Sequence, residues 1–203
     1  MRWTGVALAC GGALTILVNI TLTPLLPAHV PFAHSASSWV FLWRQGASAA
    51  AAACLLLGAV GVHLAQAGRS GRFGAVTFAL ALLGSALLLA TEWNEVFVIT
   101  DLARRAPDAL NALEDGRGLH RDDLGAMIAL ATFTLGWLGL AFATLRAHVL
   151  PRPAAWLVIA GLCAIPPLGA AFGRWGAIAG NAVLGTGWCW LGWGVQRGSS
   201  RAA

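Results

Sequence analysis

"FGAVTFALALLGSALLLATEWNEVFVIT", residues 73–100, runs nineteen positions without a charge and then presents two carboxylates, Glu92 and Glu95. From Phe73 to Ala90 a helix covers about 27 Å at ~1.5 Å per residue. That is close to the ~30 Å hydrocarbon core of a bilayer. The run lacks the polar–apolar alternation of a barrel strand. Helix is then the state left to it, because lipid offers backbone groups no hydrogen-bond partners.

Working outward, five further runs of the same kind flank it. The six spans are expected at about 5–26, 46–67, 73–100, 124–147, 154–172 and 175–195. Together they predict one all-α transmembrane domain over residues 1–203, a polytopic bundle of six helices. Composition agrees. Hydrophobic residues make up 58% of the 203 and charged residues 10%, against about 25% charged in soluble domains. So few charges cannot build a water-facing surface, and the expected partner of most of the chain is the lipid bilayer. Arg2 and "HSAS" (34–37) look like the ends of a signal peptide. The apolar stretch between them exceeds the usual ~7–15-residue core, so the first run is expected to stay as a span.

Charge sets the expected orientation. With the N-terminus cytoplasmic, Arg2, Arg69, Arg72, Arg146, Arg152, Arg197 and Arg201 lie inside with no acid. Arg44, Arg104, Arg105, Arg117, Arg121 and Arg174 lie outside with all eight acids. The positive-inside rule therefore places both termini in the cytoplasm. Tryptophans fall at both expected boundaries: Trp39, Trp43, Trp93 and Trp175 outside, and Trp3, Trp156, Trp188, Trp190 and Trp193 inside. Trp137 alone is expected deep. The formal net charge of +5 comes from scattered arginines with no lysine, a pattern that excludes nucleic acid as a partner.

The segments between runs are short. Residues 27–37 are expected to be an irregular loop. The outer loop 101–123 should hold a short amphipathic helix opened by Pro107 and stopped by Gly116, with Leu102, Ala106, Leu110 and Leu113 at helical spacing. Small residues recur in nearly every span. Gly176 and Gly180 form a GxxxG that serves packing within the bundle or a homodimer face. Pro166 and Pro167 should kink the fifth span. Cys10, Cys54, Cys163 and Cys189 are expected as buried packing thiols. Two three-span halves would have inverted topology, but no aligned motif pair emerges between residues 1–100 and 101–203.

Residues 119–162, "LHRDDLGAMIALATFTLGWLGLAFATLRAHVLPRPAAWLVIAGL", resemble a bacterial family of six-span membrane proteins of unknown function. In that family a span begins after a polar loop, ends on a basic residue and meets "LPR", here Leu150, Pro151 and Arg152. The resemblance implies the bacterial inner (cytoplasmic) membrane and brings no activity with it.

Function is sought at the costly residues. Glu92 and Glu95 are 300° apart on a helix and share a face. Near a boundary they cost less than the ~2.5–3.5 kcal/mol of a charge at mid-bilayer. Turned inward, two neighbouring acids disfavour double ionisation, which suits a proton donor or a cation site. Arg44 is the expected ion-pair partner and Arg174 the second candidate, with Asn19 and Asn181 as hydrogen-bonding groups. The leading expectation is binding or transport of a small or lipophilic ligand through an outward-facing acidic site. The alternatives are a membrane-embedded lipid or isoprenoid enzyme with a glutamic acid as proton donor, and an accessory or structural subunit. "HRDD" (120–123) and the pair His63 and His148 are the nearest approaches to a metal or haem site. Neither has a recognised spacing, so no metal and no cofactor are expected.

Overall fold

The computed structural model describes residues 2–27, 29–114 and 121–200, the side chains of 114, 121–123, 199 and 200 excepted. Four helices are long and apolar enough to cross a membrane, the build of an integral membrane protein. No strand occurs among the described residues. The first helix, α1 (Arg2–Leu25), runs as α-helix to Leu17, then through a π turn at Val18–Leu22 and a 3₁₀ turn at Thr23–Leu25. Pro24 has no N–H to continue the ladder.

The helix Trp39–Asn94 is divided at Gly71 (φ 57°, ψ −156°) and the helix Arg152–Ser200 at Gly173 (φ 59°, ψ −141°). This gives α2 (39–70), α3 (72–94), α5 (152–172) and α6 (174–200). Between the two pairs lies α4, Arg121–Ala147. The divisions are hairpins. The His63 and Phe78 rings stack at 4.2 Å, whereas on one unbroken helix they would be about 22 Å apart. Likewise Gly161 packs against Leu184 and Gly187 against Val158. Pro166 and Pro167 lie within α5, and the non-helical residue is Gly173, not either proline.

The two hairpins share a sequence: "GRFGAV" at 71–76 and "GRWGAI" at 173–178, identical at four of six positions. Their leading glycines have nearly the same dihedrals. This is the aligned motif pair that the sequence did not disclose. The motifs are short, and each becomes conspicuous only as the turn between two touching helices. Gly71 lies at the end of the bundle where Arg146 covers the Phe73 ring at 5.8 Å. Gly173 lies at the opposite end, where Arg174 donates to the carbonyls of Pro24 and Leu26 at 3.3 and 3.5 Å. So α4–α6 traverses the bundle in the reverse sense to α1–α3.

Backbones approach closely at small residues. Gly12 meets Gly185 and Cys189, Gly58 meets Leu8, and Gly84 and Gly136 meet Phe133 and Ala81. Gly176 and Gly180 face Leu168 and Ile165, so that GxxxG is used between α5 and α6. Larger side chains fill the middle. Phe133, Trp137 and Trp188 form an aromatic cluster, with Trp137 and Trp188 T-shaped at 5.3 Å. The Trp137 indole donates to Ser85 Oγ at 3.1 Å. Trp188, expected in the inner belt, is buried instead (1% exposed) because its face of α6 meets α4. The other belt tryptophans are exposed. The four cysteines are free thiols. Cys10 and Cys163 are exposed rather than buried, since they fall on outward faces where an apolar solvent tolerates a thiol.

At the end near Pro24, a small cap covers the bundle. The segment 27–37 is not wholly irregular: Phe32–Ala36 is a helix preceded by Pro31. Beyond α3 the chain continues through a π turn at Glu95–Ile99 and helices Thr100–Arg105 and Pro107–Glu114. Ala33, Ala36, Phe41, Ala103 and Leu110 form the cap's core. Asn111 Oδ1 accepts from the Ala33 amide at 2.9 Å. The expected stop, Gly116, lies outside the described residues.

Gly71 and Gly173 occupy a backbone region that is essentially restricted to glycine and costs other residues about 1–3 kcal/mol. Gly71→Ala and Gly173→Ala should each lower stability by that amount. Gly46→Ala, in open space on a regular helix, should be neutral or stabilise by about 0.5–1 kcal/mol. Detergent-micelle melting of the three variants checks this. Equal behaviour of all three would refute the hairpin assignment.

Candidate functional site

All six long helices border one cavity of about 310 Å³. Thr15 and Asn19 come from α1, and Arg44, Ser48 and Leu55 from α2. Leu88 and Glu92 come from α3, Phe133 and Thr134 from α4, Ile165 and Pro166 from α5, and Asn181, Leu184 and Trp188 from α6. Of the residues singled out in the sequence, Asn19, Arg44, Glu92 and Asn181 therefore share one chamber. Glu95 does not border it. It opens the π turn after α3, half-buried, and its carbonyl accepts from Thr100 Oγ1 at 3.0 Å. Arg174 is held instead by the loop carbonyls described above.

The chamber is layered. Its polar groups lie towards the cap. Arg44 Nε donates to Thr23 Oγ1 at 3.2 Å, which ties the start of α2 to the end of α1. A second guanidinium N–H donates to Gln45 Oε1. Gln45 is buried (3% exposed) and lies beside Glu92 as well. Among the described residues Arg44 and Glu92 form no ion pair within 4.0 Å. Among the described residues the ion pair within 4.0 Å is Arg105 with Asp101, at 2.9 Å on the surface. Glu92 Oε2 is buried with no partner. Asn19 and Asn181 turn their amide nitrogens to the carbonyls of Thr15 and Ala177, each at 2.9 Å, and Thr15 bonds back to Gly11. That leaves the two Asn Oδ1 atoms as acceptors.

Below the polar layer the walls are apolar. Gly84 packs on Phe133, so the Phe133 level is eight residues, about 12 Å, below Glu92 along α3. Trp188 stands beside Phe133 at 5.9 Å, and its Nε1–H is buried with no partner. Both π turns, Val18–Leu22 and Glu95–Ile99, lie at the polar end of the chamber, and such turns recur at functional sites.

Gln45 escaped sequence inspection because a neutral amide beside an arginine carries no cost signal. Trp188 escaped because a tryptophan near the end of an apolar run looks like a belt residue. A second polar stripe also escaped. Gln66 is 1% exposed with both amide atoms unpartnered, and His63 Nδ1 and Ser70 Oγ are buried and unpartnered on the same face of α2. This stripe lies towards the Gly71 end, away from the chamber's polar layer.

Among the described residues no three His, Cys, Asp or Glu side chains come together. His120 lies outside the described residues, as do the Asp122 and Asp123 side chains. His63 stacks on Phe78, while His148 Nε2 is 2.9 Å from an Arg152 nitrogen. The two imidazoles thus have separate neighbours.

No family model, curated protein or solved structure matches the chain. The site therefore rests on its own geometry. With the four native cysteines replaced by alanine, Ser48→Cys should react with a small water-soluble thiol reagent. Ala59→Cys, at a position with no exposure, should not. Equal inertness of both would show that the chamber is closed to solutes.

Proposed function

We propose that this is a six-span bacterial inner-membrane protein, both termini cytoplasmic, that binds and transports a small amphiphilic molecule through an outward-facing polar chamber. The observation that carries the reading is the chamber itself, which draws lining residues from every long helix. A protein whose helices only pack has no need to hold an unpartnered carboxylate oxygen and an arginine at the edge of hydrocarbon, where each is costly. Within this reading the single transmembrane domain comprises α1–α6, and the cap faces the outside. The resemblance of residues 119–162 to a six-span bacterial family implies the same membrane and the same number of spans.

Transport, rather than binding alone, is favoured by the reversed halves. Inverted repeats of three helices place substrate between them, and rocking of one half against the other alternates access. The matched glycine hairpins at Gly71 and Gly173 support that arrangement. The unpartnered Gln66, His63 and Ser70 stripe supports it as well, because buried polar groups without partners become favourable once water or substrate reaches them.

Four results follow. Reporter fusions at both ends should read cytoplasmic. A screen of small amphiphiles should find at least one that raises the melting temperature of the purified chain. The double substitution Glu92→Gln/Glu95→Gln should abolish that shift with helicity unchanged, and unchanged binding would remove the acids from the site. In proteoliposomes Ser70→Cys should react from the cytoplasmic face, and ligand binding at the outer chamber should slow it several-fold. A thiol at position 70 that never reacts would leave a binding protein, not a transporter.

A further inference from the structure

We infer that the chamber is built for a zwitterion, an α-amino acid with a large apolar side chain, its ammonium against Glu92 and its carboxylate against Arg44. The inference rests on the chamber being a ligand site, as proposed above.

Arg44 and Glu92 border the same space without forming an ion pair, and Arg44 donates to Gln45 instead. In a weakly polar surround two opposite charges lower their energy by touching. Holding them apart is favourable when something carrying the complementary pair of charges lies between them. The charges bordering the chamber, one arginine and one glutamate, sum to zero. An amine alone adds an unbalanced positive charge to that wall, and a carboxylate alone an unbalanced negative one. A zwitterion leaves the sum unchanged and satisfies both groups. Glu95 stands outside the chamber, half-buried on the turn that follows α3.

Hydrogen-bond capacity agrees. An ammonium offers three donors. Glu92 Oε2 has no partner, and Asn19 and Asn181, each with one amide N–H on its own helix, add Oδ1 acceptors. Arg44 has five N–H donors in all, of which one on Nε goes to Thr23 and one on a terminal nitrogen to Gln45. The remaining N–H groups suit a carboxylate.

Shape agrees too. The volume of about 310 Å³ is at the small end of the roughly 300–1,000 Å³ of ligand pockets, a size suited to an amino acid with a branched or aromatic side chain. The ~12 Å of apolar wall between Glu92 and Phe133 would receive that side chain. The unpartnered Trp188 N–H at its foot rewards a side chain bearing an acceptor.

Calorimetric titration of the purified full chain tests this with four probes: phenylalanine, phenethylamine, 3-phenylpropionate and glycine. Phenylalanine is expected to bind, with each of the other three at least tenfold weaker. Glu92→Gln and Arg44→Gln should each weaken phenylalanine at least tenfold, and Arg44→Lys should recover most of the loss. Should a variant fail to fold, the four probes on the unaltered chain still decide. Phenethylamine or phenylpropionate binding as tightly as phenylalanine overturns the zwitterion assignment and leaves the chamber as an amphiphile site. Failure of all four to bind also overturns it, and the amphiphile screen with Glu92→Gln/Glu95→Gln then judges the broader reading separately.

Discussion

Helices in lipid gain little by hiding apolar side chains from their surroundings, because the surroundings are equally apolar. What holds them together is close contact, and close contact requires small residues where backbones meet. This constraint shapes the whole bundle. Gly12 against Gly185, Gly58 against Leu8, and Gly84 and Gly136 against α4 and α3 are the places where a Cβ would collide. Wherever helices are pinned by glycines at some levels, they stand apart at others, and the gap has to be filled or left open. Phe133, Trp137 and Trp188 fill one level. The level above them, towards the cap, is left open as the chamber. The chamber is therefore a consequence of the packing code, and the polar groups that line it are what make it a site.

Those polar groups are held by a consistent device. Thr15, Asn19 and Asn181 in the chamber wall, and Thr91 and Ser85 outside it, all return a donor to a carbonyl one turn back in their own helix. Each such bond removes the penalty of a buried donor without recruiting a second helix. The acceptor face of each group is left for something else. For Ser85 that is the Trp137 indole. For the two asparagines the structure provides no protein donor among the described residues. The asparagine Oδ1 atoms thus stand as spare acceptors in the wall, across from the remaining Arg44 N–H groups.

How far the sequence discloses this depends on energetic cost. Long apolar runs are legible because nothing else explains nineteen uncharged positions in a row, and their boundaries fall near the observed helices. Arg44 and Glu92 are legible because a charge at the edge of such a run has to be accounted for. Gln45 and Gln66 are not, since a neutral amide costs less and leaves no trace in composition. Trp188 misleads because the helical face on which a residue falls depends on which neighbour arrives, and that is decided by contacts between distant segments. The hairpin glycines mislead differently. Gly71 and Gly173 are two among 25 glycines, and their positive φ is visible only once the helices on either side are seen to fold back.

The reversed halves give the chamber its final meaning. A single unpartnered polar pocket in a bundle is compatible with many uses. Here the two halves turn at matched Gly-Arg-aromatic-Gly hairpins at opposite ends, and each end has its own set of unpartnered buried polar atoms. One set, Glu92 Oε2 and Trp188 Nε1, belongs to residues that line an open cavity. The other, Gln66 with His63 and Ser70, is shut among packed side chains. A rigid protein bears the full cost of the shut set in its only state, about 1–3 kcal/mol for each buried group left without a partner. A protein that exchanges between two states bears it in one and is relieved of it in the other, while the open set changes places. On the proposed transport reading, the open chamber at the cap end and the closed stripe at the Gly71 end are the two ends of such an exchange.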